Sequence, residues 1–195
     1  GRYITAEDVN IGVEDIEHIY TETDHVSGVA ITHGGSGDPS PWTARGVFRG
    51  MEASCLKVFG DRSLKGKVVA LQGAGAVGQH LGGFLAEEGA KIFFTDINEK
   101  NIQKFRDKVP HAELVAVDEI YDLDCDIYAP CALGATINDS TIDRLKCRVV
   151  TGAANNQLAE PRHGDTLRKK GILYAPDYLV NAGGLMNVSI EFEGW

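Results

Sequence analysis

Short apolar segments alternate with amphipathic segments from residue 67 onward. The apolar segments predict six strands, at 67–72, 91–95, 113–116, 125–129, 147–151 and 172–175. The segments between them predict helices at 76–88, 98–107, 138–145 and 160–170, and a short turn near 117–122. This alternation is typical of a parallel sheet that is covered on both faces. We therefore predict an α/β fold with a doubly wound parallel sheet, whose ligand would lie beyond the carboxyl ends of the strands.

The residues before this sheet are organised differently. A strand is predicted at 2–5 and a long helix at 42–59, with Ser40 as the helix-capping residue. Another helix is predicted at 13–23, and its inward-facing residues at helical spacing are Val13, Ile16, Ile19 and Tyr20. The glycine- and proline-rich run at 33–41 predicts a domain boundary.

A glycine-rich turn joins the first predicted strand of the sheet to the helix that follows it. The turn reads Gly73-Ala74-Gly75-Ala76-Val77-Gly78, and Asp96 follows it at the end of the second strand. In dinucleotide-binding turns the first glycine permits the bend, the second lets the main chain approach a pyrophosphate, and the third lets helix and strand pack closely. Free N–H groups at the helix N-terminus then face the phosphates. We predict a Rossmann-type dinucleotide site that includes Gly73, Gly75, Ala76, Val77 and Gly78, with a tight turn that binds nothing as the alternative.

Asp96 predicts which nucleotide is bound. Its carboxylate can accept hydrogen bonds from a ribose diol, whereas a 2′-phosphate would meet a like charge, at a cost of ~4 kcal/mol for a separation of about 4 Å and an effective dielectric of about 20. The next residues, 97–99, include no arginine to hold such a phosphate. The sequence therefore favours NAD, with Ile97 beside the same site, while Lys100 keeps NADP open as an alternative.

Small and polar residues follow the last three predicted strands, at 130–134, 152–157 and 181–184. The carboxyl ends of parallel strands meet at one edge, so these segments should converge near the glycine-rich turn. Asparagine amides there can donate and accept, as a nicotinamide carboxamide or a ribose requires, although asparagines also form turns and caps. Cys131 is interpreted as a small residue near the adenosine rather than as a nucleophile, because no histidine is placed to activate it. The cofactor candidates at these strand ends are Cys131, Ala132, Ala154, Asn155 and Asn181.

Composition limits the partners of the protein. The 195 residues are 43% hydrophobic and 24% charged, which suits one domain or one and a half. A net charge of −9 disfavours nucleic acids and anionic membranes, and no apolar run has the length of a membrane span. The four cysteines form no CxxC pair and the six histidines show no metal-ligand spacing. We therefore predict a cytoplasmic protein with reduced thiols and no metal.

Seven segments that cover nearly the whole chain resemble those of one enzyme family, in the family's order. The most specific are GGSGDPSP at 34–41 and PDYLVNAGG at 176–184. On these residues the sequence resembles the NAD-dependent amino-acid dehydrogenases of the leucine, valine and phenylalanine group, and the leucine dehydrogenases most. The matching segments are GRYITAEDV (1–9), GGSGDPSPWTARGVFRGM (34–51), VALQGAGAVG (69–78), FFTDIN (93–98), DIYAPCALGATIN (126–138), GAANNQLAE (152–160) and ILYAPDYLVNAGGLMNV (172–188).

The resemblance implies oxidative deamination of an L-amino acid, leucine or another branched-chain one, to a 2-oxo acid and ammonia, with a hydride passing to NAD. Asp8 aligns with the family's catalytic aspartate, which relays protons to the amino group and water. Thr43 matches a contact on the nicotinamide side, and the segment of Asn181 borders nicotinamide and substrate. Spacing alone gives Asp8 another interpretation, since Thr5-x-x-Asp8 resembles a helix capping box. Asn10 departs from the family, in which many members have glycine.

A second departure concerns lysine. The family's catalytic lysine, and another that holds the substrate carboxylate, belong to a glycine-rich PxGGGK-type segment that has no counterpart here. We therefore interpret the chain as a fragment, with 1–33 as a remnant of the substrate domain, 34–195 as the NAD-binding domain and a hinge at 34–41. The fragment should bind NAD but hardly catalyse, and the whole enzyme should be a homo-oligomer that acts on a small L-amino acid.

Other functions fit parts of the same pattern. A non-catalytic dinucleotide-binding regulatory module would need the glycine-rich turn but has no use for Asp8 or the hinge. A hydroxyacid dehydrogenase would want a histidine base near a strand end, and none is apparent. A phenylalanine- or valine-type dehydrogenase stays open as an alternative, because the preferred side chain is not readable from these residues.

Overall fold

The computed structural model describes residues 3–8 and 11–193. Its strands are β1 (Val68–Gln72), β2 (Lys91–Thr95), β3 (Glu113–Leu114), β4 (Ile127–Pro130), β5 (Val149–Val150) and β6 (Leu173–Tyr174). They form one parallel sheet in the order β3-β2-β1-β4-β5-β6. The chain builds outward from β1 to β3 and then crosses back to β4, so the strand order reverses between β1 and β4. The predicted doubly wound α/β fold of Rossmann type is confirmed.

Helices cover this sheet and precede it. They are α1 (Val13–Tyr20), α2 (Ser40–Phe59), α3 (Ala76–Glu87), α4 (Glu99–Lys108), α5 (Arg162–Lys169), α6 (Asp177–Val180) and α7 (Gly183–Glu193), with 3₁₀ turns at Ile31–His33 and Glu119–Asp122. The long helix α2 packs against α3 and against α7. Among the described residues, no helix has the length and apolar character needed to cross a membrane.

Apolar side chains are buried on both faces of the sheet. Along β1, Val69 and Leu71 join the core beneath α2, α3 and α4, while Ala70 joins the core on the opposite face. Phe94 of β2 packs on Phe105 of α4 with ring centroids 4.3 Å apart. Successive strand residues point to opposite faces, so a parallel strand that is buried on both sides reads as a continuous apolar run. This explains why the strands were visible in the sequence.

The segment before α2 has a small core of its own. Ile16 of α1 packs with Val26 and Val29. Thr5 forms an isolated parallel bridge with Val26, which is what remains of the strand predicted at 2–5. Arg2 lies outside the described residues.

Two predictions at helix ends are wrong. Helix α1 ends at Tyr20 rather than at 23, and the Tyr20 side chain is 40% exposed instead of buried. The Thr21 hydroxyl donates to the main-chain oxygen of His18, a local bond that competes with continuation of the helix. Ser40 does not cap α2 but is its first residue, and its N–H donates to the Asp38 carboxylate at 2.7 Å.

The helix predicted at 138–145 is also wrong, because these residues form consecutive turns. Ile142 and Leu145 are buried at a spacing that imitates an amphipathic helix. The Asn138 side chain instead accepts the N–H of Ser140 at 2.9 Å, and the Thr141 hydroxyl accepts the N–H of Asn138 at 3.1 Å. Side chains that bond to their own main chain offer it an alternative to helix.

Candidate dinucleotide site

Close contacts leave no space for a side chain at the first and third glycines of the glycine-rich turn. Gly73 has φ +104°, and a Cβ there would lie 2.8 Å from the main chain of Cys131 and Ala132. A Cβ on Gly78 would lie 2.1 Å from the Gly73 oxygen, whereas a Cβ on Gly75 would meet nothing within 4 Å. Real Cβ contacts below 3 Å are not tolerated, so the first and third glycines are required by packing. Gly75 therefore borders open space at the start of α3, where a phosphate could approach the main chain.

Ala76 and Val77 form the first turn of α3. Gly75 is the residue before the helix, and its extended conformation ends in a helix N-terminus that no side chain of the described residues caps. The first N–H groups of a helix have no partner within it, and the aligned peptide dipoles place partial positive charge there. The turn thus offers main-chain donors on the side where Gly75 leaves room.

Asp96 is tied to this turn by hydrogen bonds that the sequence did not indicate. Its Oδ2 accepts the N–H of Ala74 at 2.7 Å, and its Oδ1 accepts the N–H of Asn98 at 2.8 Å. Asn101, on the first turns of α4, donates to Oδ2 from 3.3 Å. The acid at the end of β2 is therefore held against the glycine-rich turn, with lone pairs to spare for further donors. Ile97, beside it, is 87% exposed.

The loops after β4 and β5 meet at the same edge. The N–H of Ala153 donates to the Cys131 sulfur at 3.4 Å, and the N–H of Ala154 donates to the Pro130 oxygen at 3.0 Å. Burial raises the pKa of the Cys131 thiol to about 12. A thiol so rarely ionised is a poor nucleophile, which agrees with its interpretation as a small packing residue. Ala132 is exposed beside Gly73.

The two predicted amides contact each other. Asn181 Nδ2 donates to Asn155 Oδ1 at 2.6 Å and to the main-chain oxygen of Ala153 at 3.1 Å. Asn181 follows α6, and Asn155 follows β5, so 26 residues of chain separate the pair. The bond fixes which end of each amide faces the partner and leaves the Asn181 oxygen and the Asn155 amide hydrogens for other groups.

Close packing between α2 and α7 fixes the position of Thr43. A Cβ on Gly183 would lie 2.1 Å from the Trp42 oxygen, and one on Gly184 would lie 2.2 Å from Thr43 Oγ1. The glycine pair that begins α7 therefore lets two helix backbones approach each other directly. Thr43 consequently lies beside the residues that follow Asn181.

Asp8 is exposed and lies in a segment without regular structure. The capping interpretation of Asp8 is wrong, because α1 begins at Val13 and its first turn is closed by Asp15, which accepts the N–H of Gly12 at 2.9 Å. The neighbouring Glu7 is half-buried, and its pKa is raised to about 7, chiefly by burial and then by the charges of Asp38 and Asp15. Glu7 thus places this segment near Asp38, just before α2.

Among the described residues, no group of three histidine, cysteine, aspartate or glutamate side chains could hold a metal ion. His33 pairs with Glu17. The buried His163 lies 3.1 Å from an Asp139 oxygen and accepts the N–H of Glu160, so it holds the start of α5. These contacts agree with structural roles for both histidines.

Comparison with known proteins assigns this chain to a family. The model of the Glutamate/Leucine/Phenylalanine/Valine dehydrogenase family matches residues 94–194. Leucine dehydrogenases from Thermoactinomyces intermedius and Bacillus subtilis are 57% and 55% identical over all of this chain, and the phenylalanine dehydrogenase from Thermoactinomyces intermedius is 46% identical. The chain spans about half the length of these curated relatives, 53–54%.

Solved structures agree with this assignment. L-tryptophan dehydrogenase from Nostoc punctiforme superposes with a TM-score of 0.82 at 41% identity, over all of this chain and 55% of that one. Glutamate dehydrogenase from Thermus thermophilus shares the fold, with a TM-score of 0.78 at 21% identity over 96% of this chain and 50% of that one. The chain therefore belongs to the Glutamate/Leucine/Phenylalanine/Valine dehydrogenase family.

Proposed function

We propose that this chain supplies the NAD-binding part of an enzyme that oxidatively deaminates an L-amino acid, leucine or another branched-chain one. The observation that carries the proposal is the continuous row of groups along one sheet edge. The glycine-rich turn and Asp96 occupy one end of the row, and the Asn155–Asn181 pair occupies the other. Its similarity to leucine dehydrogenases at 53–57% identity supports the substrate class.

The residues present fit a dinucleotide. The open space at Gly75 and the start of α3 would take the pyrophosphate, and Asp96 would accept hydrogen bonds from the ribose diol of the adenosine. The side chain of Ile97 would lie against the adenine, with Cys131 and Ala132 beneath the same half. Ala154, Asn155, Asn181 and Thr43 would surround the nicotinamide. When bound, NAD accepts a hydride from the α-carbon of the substrate.

Asp8 is proposed as the acid–base residue. Its carboxylate would take a proton from the substrate amino group and release it to solvent as the iminium forms. It would then take a proton from the attacking water and give it to the departing ammonia as the iminium collapses. We also propose that 1–33 belongs to the substrate domain and 34–195 to the NAD-binding domain, with a hinge at 34–41. The lysines expected of the family have no counterpart here, so the chain alone should bind NAD but hardly catalyse. A homo-oligomeric state and a cytoplasmic location stay predictions.

The proposal is tested by two measurements. Calorimetry on this chain should show saturable binding of NAD, tighter than that of NADP. The complete protein that carries this sequence should form NADH, followed at 340 nm, with leucine, isoleucine or valine, and more slowly with phenylalanine. Asp8→Asn in that protein should lower kcat by roughly 10² while leaving the Kd for NAD unchanged.

Asp24→Asn is the matched control, since it removes an exposed carboxylate from the same part of the chain. It should leave kcat within about twofold. NADH formation at the normal rate in Asp8→Asn would remove Asp8 from the mechanism, and an absence of NAD binding by this chain would contradict the whole proposal.

A further inference from the structure

A compact loop connects the segment that carries Asp8 to helix α2. This connector loop, residues 28–37, is closed by its own main chain. The N–H of Gly35 donates to the Ala30 oxygen at 3.2 Å, and the N–H of Gly37 donates to the Val29 oxygen at 2.9 Å. A Cβ on Gly35 would lie 2.1 Å from the Val29 oxygen, so the main chain at Gly35 packs directly against the main chain at Val29. The connector loop therefore has a defined conformation that its own main-chain hydrogen bonds stabilise.

Two glutamates from different helices hold the connector loop. Glu17 of α1 accepts the N–H of Ala30 at 2.8 Å and pairs with His33. One oxygen of Glu191, near the end of α7, accepts the N–H of Gly28 at 2.9 Å and the N–H of Ser36 at 2.7 Å. The same oxygen accepts the Ser36 hydroxyl.

The Glu191 contact differs from an ordinary surface ion pair. Two of its donors are main-chain N–H groups that the loop already holds in place. Forming these bonds therefore costs little conformational entropy beyond that of the Glu191 side chain. All three bonds are partly buried and all end on a charged acceptor. Charge-assisted bonds of this kind are about twice as strong as neutral ones, whereas exposed ion pairs contribute little.

The connector loop is also joined to the Asp8 segment. The N–H of Thr5 donates to the His25 oxygen at 3.1 Å, and the N–H of Ser27 donates to the Thr5 oxygen at 2.8 Å. Residues 25–27 run directly into Gly28. At its other end, α7 begins beside Trp42 and two residues after Asn181. One helix of eleven residues, about 16 Å long at 1.5 Å per residue, thus links the amide pair to the connector loop, which is in turn joined to the segment that carries Asp8.

We propose that Glu191 is a positioning residue that clamps the connector loop to α7 and so sets where Asp8 lies relative to the nicotinamide end of the site. The predicted effect of Glu191 on kcat rests on the proposed function. Its predicted effect on the position of the connector loop does not. Removal of the Glu191 carboxylate frees Gly28 and Ser36, and the segment at 3–8 then loses its fixed orientation. A displacement of about 1 Å at a reacting group can lower a rate by roughly 10².

The test compares Glu191→Ala, Glu191→Gln and the control Glu87→Ala in the complete protein that carries this sequence. Glu87 is an exposed glutamate near the end of α3. Spin labels at Glu14→Cys on α1 and Lys104→Cys on α4, both exposed, report the distance between the two parts of the chain. Glu191→Ala should broaden that distance distribution and lower kcat about 10- to 100-fold, with the Kd for NAD changed less than about twofold.

Glu191→Gln keeps an amide oxygen that can accept the same N–H groups, so it should restore the narrow distribution and most of kcat. An unchanged distribution in Glu191→Ala would refute the clamp. A broadened distribution with normal kcat would refute the positioning role alone. If no variant, including the parent, forms NADH, the proposed function fails while the label distances still decide the clamp.

Discussion

Removal of the Asp96 carboxylate should weaken NAD binding and should also destabilise the protein. The two effects arise from different hydrogen bonds of Asp96, so each can be estimated separately. Asp96 accepts N–H groups from Ala74 and Asn98. Ala74 is fully buried, so in Asp96→Ala its N–H loses a partner that water cannot readily replace. Asn98 is exposed, and water can take over its bond.

Leaving one buried N–H unsatisfied costs about 1–3 kcal/mol. For a chain of this size each kcal/mol shifts Tm by roughly 2–4 °C, so nucleotide-free Asp96→Ala should unfold about 4–8 °C lower for a cost near 2 kcal/mol. Loss of the charged acceptor for the ribose diol should separately weaken NAD binding by roughly 10- to 100-fold, because each 1.4 kcal/mol changes Kd tenfold. Asp96→Asn keeps one oxygen for Ala74 but presents an amide donor to Asn98, so both effects should be smaller. Asp96→Arg should shift the preference towards NADP, because a cation replaces the repelling carboxylate.

Thermal unfolding followed by circular dichroism measures the first effect, and calorimetry with NAD and NADP measures the second. Asp107→Ala is the matched control, since Asp107 is an exposed carboxylate on α4 that accepts only from the Gln103 side chain among the hydrogen bonds of the described residues. It should change neither quantity. If Asp96→Ala lowers Tm but binds NAD as before, Asp96 supports the turn and does not contact ribose. If all three Asp96 variants discriminate NAD from NADP like the parent, the reasoning on selectivity is wrong.

Other predictions concern single positions. Gly78→Ala should destabilise the fold by about 1–3 kcal/mol and abolish NAD binding, since the added Cβ would lie 2.1 Å from the Gly73 oxygen. The control Gly83→Ala should be neutral or stabilising, because its Cβ would meet only the Lys108 stem, at 3.4 Å. Free energies of unfolding in urea distinguish the two variants. The pKa of Glu7 is about 7 in the folded protein and 4.5 in the unfolded chain, so the contribution of Glu7 to stability falls as the pH rises from 4.5 to 7. Glu7→Gln should remove this fall when the free energy of unfolding is measured against pH. Parallel pH profiles for the variant and the parent would contradict the prediction. Cys131 should resist iodoacetamide at pH 8 in the native state and react after denaturation, as mass spectrometry would show, and rapid native alkylation would contradict the raised pKa of its thiol.

The sequence predicted the parts of this fold that local patterns determine. The glycine-rich turn lies between β1 and α3 because the bend, the small residues and the apolar run are all encoded within about a dozen positions. The convergence of 130–134, 152–157 and 181–184 followed from a parallel sheet alone. The segment at 138–145 failed because the spacing of Ile142 and Leu145 is shared by a helix and by a series of buried turns.

Contacts between distant residues were beyond this kind of prediction. Glu191 and Ser36 are 155 positions apart, and nothing in either local sequence indicates the other. The hydrogen bond from Ala74 to Asp96 was nearer to being predicted, since Ala74 lies within the turn that was assigned to the same site as Asp96, but the bond itself was not predicted. The sequence predicted that Asp96 binds ribose, and the fold shows that its carboxylate holds the turn. A hint existed in the spacing of Asp96, Asn98 and Asn101, which is suited to a carboxylate braced by the start of a helix.

The two kinds of position at this edge should respond differently to substitution. A Cβ added at Gly73, Gly78 or Gly183 would lie 2.1–2.8 Å from a main-chain oxygen or nitrogen, and a main chain fixed by a sheet and two helices cannot retreat from an added methyl group. Asp96 and Asn155 act through side-chain atoms at the surface of the same framework. Replacing a glycine should therefore abolish the site whatever nucleotide is offered, whereas replacing Asp96 should change which nucleotide is preferred. We therefore expect one or two side chains to change the nucleotide preference, because the geometry that would receive the pyrophosphate is formed by the backbone.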